Sequence, residues 1–113
     1  DMRELLASEA PAAALAVDYF TLHVAQAVAQ LAVTLGGLDA LVFTAGIGEH
    51  APAIRARISA RLGLLGVALD AVANDASETW IDADGPGPHV LVIPTDEERM
   101  IALHTLRLLR PAA

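Results

Sequence analysis

Two short stretches carry residue types that could do chemistry. Gly46, Ile47, Gly48, Glu49 and His50 follow an apolar run at 38–43, and Thr95, Asp96, Glu97 and Glu98 follow a second apolar run at 89–93. Glycines after a strand allow backbone angles closed to other residues and let the chain approach a ligand closely. Pro52 stands where the next helix would begin, and its fixed φ and missing N–H suit a first helical turn. The free N–H groups of such a turn carry partial positive charge. Strand, glycine loop and helix N-terminus together form a candidate site for a nucleotide or another anionic ligand at the carboxyl end of a parallel strand. The acidic stretch offers a carboxylate to a divalent cation, and Mg²⁺ uses only one or two carboxylates and keeps several waters. Glycines near phosphates and a carboxylate near a metal are parts that phosphoryl transfer needs. If the two apolar runs are parallel strands, both stretches lie on one edge of the sheet and border one cleft.

Each feature also has a plainer role. A glycine pair after a strand is more often only a tight turn. The loop is not a P-loop, because the chain has no lysine, and it lacks the third glycine of the dinucleotide fingerprint. Thr95 and Glu98 have the spacing of a capping box, which accounts for Glu98 without any ligand. Arg57 and Arg61 fall on a solvated helix face, whereas Arg55, nearest the glycine loop, is the arginine expected to face a ligand. His23, His89 and His104 have no ligand spacing, and only His50 adjoins the loop. There is no cysteine, and Ser8, Ser59 and Ser77 lack partners for nucleophilic catalysis.

The elements that must position these residues can be read from periodicity. Asp1 to Leu6 by themselves read as a frayed terminus. Ser8 and Glu9 before Pro11 signal a helix start. A helix to about Leu35 follows, with an apolar stripe of Val17, Phe20, Val24, Val28, Leu31 and Leu35, and Gly36-Gly37 ends it. Residues 38–43 read as a strand covered on both faces. Residues 52–62 form a second helix with Ile54, Ile58 and Leu62 inward. Val67, Ala68 and Leu69 form a short strand closed by Asp70. Residues 71–88 read as a surface excursion containing a small edge strand at Trp80 and Ile81. Residues 89–93 form the second buried strand, stopped by Pro94. A third helix follows, burying Met100, Ile101, Leu103, Leu106 and Leu109, with Arg107 and Arg110 at its end and Pro111 stopping it. Two buried strands joined by a helix imply a βαβ crossover in a parallel sheet. Two strands make a poor sheet alone, so either the excursion at 71–88 or an upstream part of a longer chain is expected to add strands.

The 113 residues suffice for one domain, and alanine inflates the 55% hydrophobic content. The net charge of −7, with all seven basic residues arginine, argues against nucleic-acid binding. No apolar run is expected to reach the length of a membrane span. A soluble intracellular domain is the expectation.

The residues DMRELL at the start, LDALVFTAGIGEHAPAIR in the middle, LGLLGVALD after it and VLVIPTDEERMIA near the end, in this order and spacing, resemble the C-terminal part of acetate kinases. The resemblance implies an α/β fold of the ribonuclease-H-like, actin-like ATPase class, with parallel strands and flanking helices, here incomplete. Residues 1–113 would be the C-terminal part of its nucleotide-binding domain. It implies ATP or ADP with Mg²⁺ (or Mn²⁺), and reversible phosphoryl transfer to acetate. By the same resemblance Asp1, Met2, Arg3, Gly46, Ile47, Gly48, Glu49 and His50 contact the nucleotide, and Glu97 associates with the metal. His50 and Asp96 stand where the family usually has asparagine, and His23 where arginine is common. The family's catalytic arginines, aspartate and histidine lie upstream of this segment, so no catalytic residue and no activity are expected of it alone. The carboxylate substrate would bind through that upstream part, in a cytoplasmic homodimer with neither nucleic acid nor membrane as partner. The alternatives are a propionate or butyrate kinase segment, or a non-catalytic nucleotide-binding or oligomerisation module.

Overall fold

A computed structural model describes residues 1–109. Helix α1 (Met2–Ala7) is followed by α2 (Pro11–Leu35), strand β1 (Ala40–Phe43), a short kinked helix α3 (Ala45–His50), α4 (Pro52–Ala60), a 3₁₀ turn (Gly63–Leu65), α5 (Ala71–Asp75), strand β2 (His89–Val92) and α6 (Glu97–Leu109). The N-terminus is not frayed: Asp1 caps α1 by accepting from the Arg3 N–H. Pro11 opens α2 and Gly36, at φ 79°, closes it with its N–H on the Ala32 and Val33 carbonyls. Arg110 and Pro111, expected to finish the last helix, lie outside the described residues.

The strands pair in parallel as expected, with Ala40 opposite His89 and Phe43 opposite Val92. One face of this pair carries the core. Phe43, Val90 and Val92 pack with Val17 and Ala25 of α2, Ile54 and Ile58 of α4, and Leu62, Val67, Ala73 and Ile81. Burying each large aliphatic side chain contributes roughly 1.5–3 kcal/mol, so this cluster is the main source of cohesion. The strands were expected to be covered on both faces. Instead Ala40 and Val42 of β1 are exposed, while Leu41 and Phe43, on the alternate face, pack on the core.

Other expectations are corrected in the same way. The α2 stripe is led by small residues: Ala13, Val17, Thr21, Ala25 and Ala32 are buried. Leu31 and Leu35 are exposed; alanines allow close helix approach and so rotate the contact face. At 25 residues α2 is long and apolar enough to cross a membrane by length and composition, contrary to expectation. Its buried stripe packs on the core, and its Asp18 pairs with Arg61 of the α4 end. The α6 residues expected inward, Met100, Ile101, Leu103, Leu106 and Leu109, are all exposed. Residues 71–88 are more than an excursion. They contain α5, the fully buried Ile81, and an antiparallel bridge of Trp80 to Leu91. Asp70 caps α5 rather than closing a strand, and only Leu69 of its neighbours bridges, to Asp82.

Asp82 gives the fold an acid-sensitive point. Its carboxylate accepts from the Val90 N–H and meets His89 Nδ1, both at 3.1 Å. The Val90 bond, aided by His89, holds its pKa below the ordinary aspartate value against the opposing effect of desolvation. A carboxyl depressed in the folded state stabilises above its unfolded pKa and loses that contribution as pH falls through the folded value. Asp82→Asn keeps an acceptor for Val90 but cannot titrate. Urea unfolding between about pH 5 and pH 3 is therefore expected to show less acid loss in Asp82→Asn than in the parent.

Candidate functional site

The carboxyl ends of β1 and β2 meet, as their parallel pairing requires. The Ile93 N–H donates to the Phe43 carbonyl at 3.0 Å. Thr44 and Thr95, the residues leaving the two strands, share a hydroxyl hydrogen bond of 2.7 Å. The Glu49 carboxylate accepts from the Thr95 N–H at 3.4 Å. The glycine stretch and the acidic stretch therefore do border one edge.

The glycine stretch is a distorted helical turn rather than an open loop. Ala45 enters it at φ 58°, a region that L side chains rarely occupy, and Gly46 departs from helical angles altogether. Such strain, of order 1 kcal/mol or more, is characteristic of functional sites. Gly48 lies directly over β1, where a Cβ would stand 3.4 Å from the Phe43 carbonyl carbon. Gly46 faces open space.

A cavity of about 320 Å³ opens beside this turn, lined by Asp1, Met2, Arg3, Leu6, Gly46, Ile47, His50 and Ala51. It brings together the N-terminal residues and the glycine stretch, two segments far apart in sequence. Its volume is at the small end of the roughly 300–1,000 Å³ typical of ligand sites. Six of the eight residues expected to contact a nucleotide line it. Gly48 and Glu49 do not: Gly48 packs on the strand, and Glu49 faces a second opening with His50, Asp75, Ser77 and Thr79. Leu6 and Ala51 were missed. Leu6 lies one helical turn beyond Met2 and Arg3, a spacing that marks it as a neighbour.

Arg55 was expected to face a ligand and does not. It is fully buried. Its five N–H donors meet five acceptors: Nε bonds Asn74 Oδ1, Nη1 bonds the Gly48 and Glu49 carbonyls, and Nη2 bonds the Asn74 carbonyl and Ser77 Oγ, all at 2.7–2.9 Å. Burial pushes its pKa down and Asp75 opposes this. An arginine stays charged at any ordinary pH.

The acidic stretch begins α6 differently from the expected capping box. Asp96 rather than Thr95 is the capping side chain, accepting from the Arg99 N–H at 2.9 Å, and the Thr95 hydroxyl is bonded to Thr44. Glu97 and Glu98 are exposed in the first turn. No group of three His, Asp or Glu that could hold a metal occurs among the described residues. These residues alone therefore do not enclose a cation; a metal that keeps several waters, such as Mg²⁺, is the kind that one or two carboxylates can hold.

Comparison with known proteins decides the lineage. The model of the acetokinase family matches residues 1–103. The chain belongs to the acetokinase family. It is 56% identical over 109 residues to the acetate kinase of Nitrobacter hamburgensis, covering 96% of this chain and 27% of that protein. It is 51% identical over 109 residues to the acetate kinase of Rhizobium meliloti, covering 96% and 28%. The crystal structure of Porphyromonas gingivalis acetate kinase matches with a TM-score of 0.88 at 30% identity, over 97% of this chain and 29% of that one. That of a propionate kinase from Francisella tularensis matches with a TM-score of 0.84 at 43% identity, over 90% and 27%. The chain thus spans a little over a quarter of the length of these relatives. The expected fold class, an incomplete α/β domain of the ribonuclease-H-like, actin-like ATPase kind, stands on these likenesses.

Proposed function

We propose that this chain is the C-terminal, nucleotide-binding segment of an acetate kinase, which transfers the terminal phosphoryl group of ATP to acetate reversibly, giving ADP and acetyl phosphate. The observation that carries the reading is the cavity in which residues 1–3 meet Gly46, Ile47 and His50. In this reading Asp1, Met2, Arg3, Gly46, Ile47 and His50 form one wall of the nucleotide site, and Gly48 and Glu49, which lie behind that wall, complete the turn that shapes it. Glu97 supplies one carboxylate to Mg²⁺ or Mn²⁺. The metal, when bound, neutralises phosphate charge as the phosphoryl group moves. The residues of this chain hold and orient the nucleotide; none is assigned to the chemical step.

Phosphoryl transfer depends on several groups acting on one geometry. The isolated chain is therefore expected to be inactive, and the full-length protein carrying it is expected to form ADP from ATP only when acetate is supplied. A coupled ADP assay on both checks this. Acetyl phosphate formation by the isolated chain would overturn the division of labour proposed here. The likeness to a propionate kinase structure favours one second reading, in which the acyl substrate is longer. Comparing kcat/KM for acetate, propionate and butyrate separates the two. The intact protein is proposed to be a cytoplasmic homodimer, with the exposed Leu15, Tyr19 and Val33 of α2 as apolar surface for that contact.

A further inference from the structure

Ser77 and Asn74 lie outside the cavity proposed to hold the nucleotide, yet they share one buried side chain with the turn that lines it. Nη1 of Arg55 binds the carbonyls of Gly48 and Glu49, each at 2.9 Å, while Nε and Nη2 bind Asn74 and Ser77. Asn74 in turn donates from Nδ2 to the Pro52 carbonyl at 3.0 Å, at the start of α4. Holding a carbonyl fixes its whole peptide plane. The Gly48 and Glu49 carbonyls therefore set the planes of the next two amides, the N–H groups of Glu49 and His50. His50 is itself a cavity residue.

The arrangement is over-determined for a merely filled core position. All five guanidinium donors are used, on two partners from each side, and the planar fork cannot reach one side without holding the other. Ser77 adopts φ 49°, an uncommon angle for serine, and its hydroxyl accepts from Nη2 at 2.8 Å. Asn74 is 3% exposed. Because the side chain is so constrained, a shift of α5 would be passed to residues 48 and 49.

We infer that Arg55 is a positioning residue for the nucleotide, acting through the Gly48 and Glu49 carbonyls and anchored remotely by Asn74 and Ser77. The inference rests on the function proposed above. It predicts that Ser77, outside the cavity, tunes nucleotide affinity through its bond to Arg55.

The test is steady-state kinetics on the full-length protein carrying this chain, with Arg55→Lys, Ser77→Ala and the double variant, each also followed by thermal unfolding. Lysine keeps the charge but cannot reproduce the fork. Arg55→Lys is expected to raise the KM for Mg·ATP about tenfold and leave the KM for the carboxylate within about twofold. Ser77→Ala removes one of the five bonds, so the fold is retained if Arg55→Lys is too unstable to assay; it is expected to raise the nucleotide KM about threefold. The double variant should be no worse than Arg55→Lys alone, because the Ser77 hydroxyl is bonded to Arg55. Variants that melt lower but keep the parental nucleotide KM would overturn the positioning role alone. So would effects of the two substitutions that multiply. A full-length parent with no nucleotide-dependent phosphoryl transfer would instead overturn the proposed function and the role built on it.

Discussion

Gly87→Ala is expected to destabilise the fold by about 3 kcal/mol, the upper range for forcing a methyl into packed structure. A Cβ on Gly87 would stand 2.1 Å from the Gly66 carbonyl oxygen and 3.0 Å from its carbonyl carbon. These are backbone atoms, so no rotamer change relieves the overlap. Gly66 cannot move away freely. It holds φ 83° and donates its N–H to the Gly63 carbonyl at 2.9 Å, closing the turn that follows α4. One of two segments must therefore yield: the turn at 63–66, which leads to buried Val67, or the 84–88 run, which delivers His89 to the start of β2. Denaturant unfolding compares Gly87→Ala with Gly85→Ala. Gly85 also has an unusual backbone, at φ 148°, but nothing lies within 4 Å of its missing Cβ. Gly85→Ala carries backbone strain without overlap, so a Gly87→Ala midpoint equal to that of the parent would mean that the close approach is not what holds this corner.

The comparison of glycines illustrates what could be read from the sequence and what could not. The types of the longer elements, α2, α4, β1, β2 and α6, followed from period and punctuation, because Pro11, Gly36 and Pro52 act locally. The short helices α1, α3 and α5 did not, and residues 67–69 were expected as a strand that the structure does not form. The strand order followed too, since two buried runs joined by a helix admit few arrangements. Burial was less legible. Leu31, Leu35 and the leucines of α6 have the right period for a core, but a period marks a face without saying what covers it. The chain is about a quarter as long as its relatives, and several of these faces have no partner among the described residues. At the site, residues 46–50 and residues 1–3 could be matched to a known pattern, and the structure brings most of them to one cavity. The role of Arg55 was not readable. Nothing in its neighbours distinguishes an arginine aimed at a ligand from one turned inward, since its anchors Asn74 and Ser77 look like ordinary turn residues. Likewise Gly87 sits in a Pro-Gly run that reads as plain loop, and only the approach of Gly66 gives it a reason.

The largest functional effect is expected at Gly48. Its Cβ would meet the Phe43 carbonyl carbon at 3.4 Å and the Phe43 Cα and Cβ at 3.6 Å. Alanine therefore just fits, whereas the γ-methyls of valine reach further, into the strand. The strand cannot recede, because the Phe43 carbonyl is held by the Ile93 N–H at 3.0 Å. The turn must rise instead, which breaks the bonds from Arg55 to the Gly48 and Glu49 carbonyls. A displacement of about 1 Å in a positioning element typically costs on the order of 10² in binding or rate. Calorimetric titration of Mg·ADP is expected to show affinity reduced about 100-fold or more in Gly48→Val. Gly48→Ala should stay within about threefold, since an ordinary van der Waals contact carries little strain. Glu97→Ala serves as the complement. Its exposed carboxylate touches none of this packing, so it should weaken binding only when Mg²⁺ is present. Unchanged ADP binding in a folded Gly48→Val variant would place the nucleotide away from this turn. Equal weakening of Glu97→Ala with and without Mg²⁺ would take the metal from Glu97 while leaving the nucleotide where it is, so the two halves of the proposed site stand or fall separately.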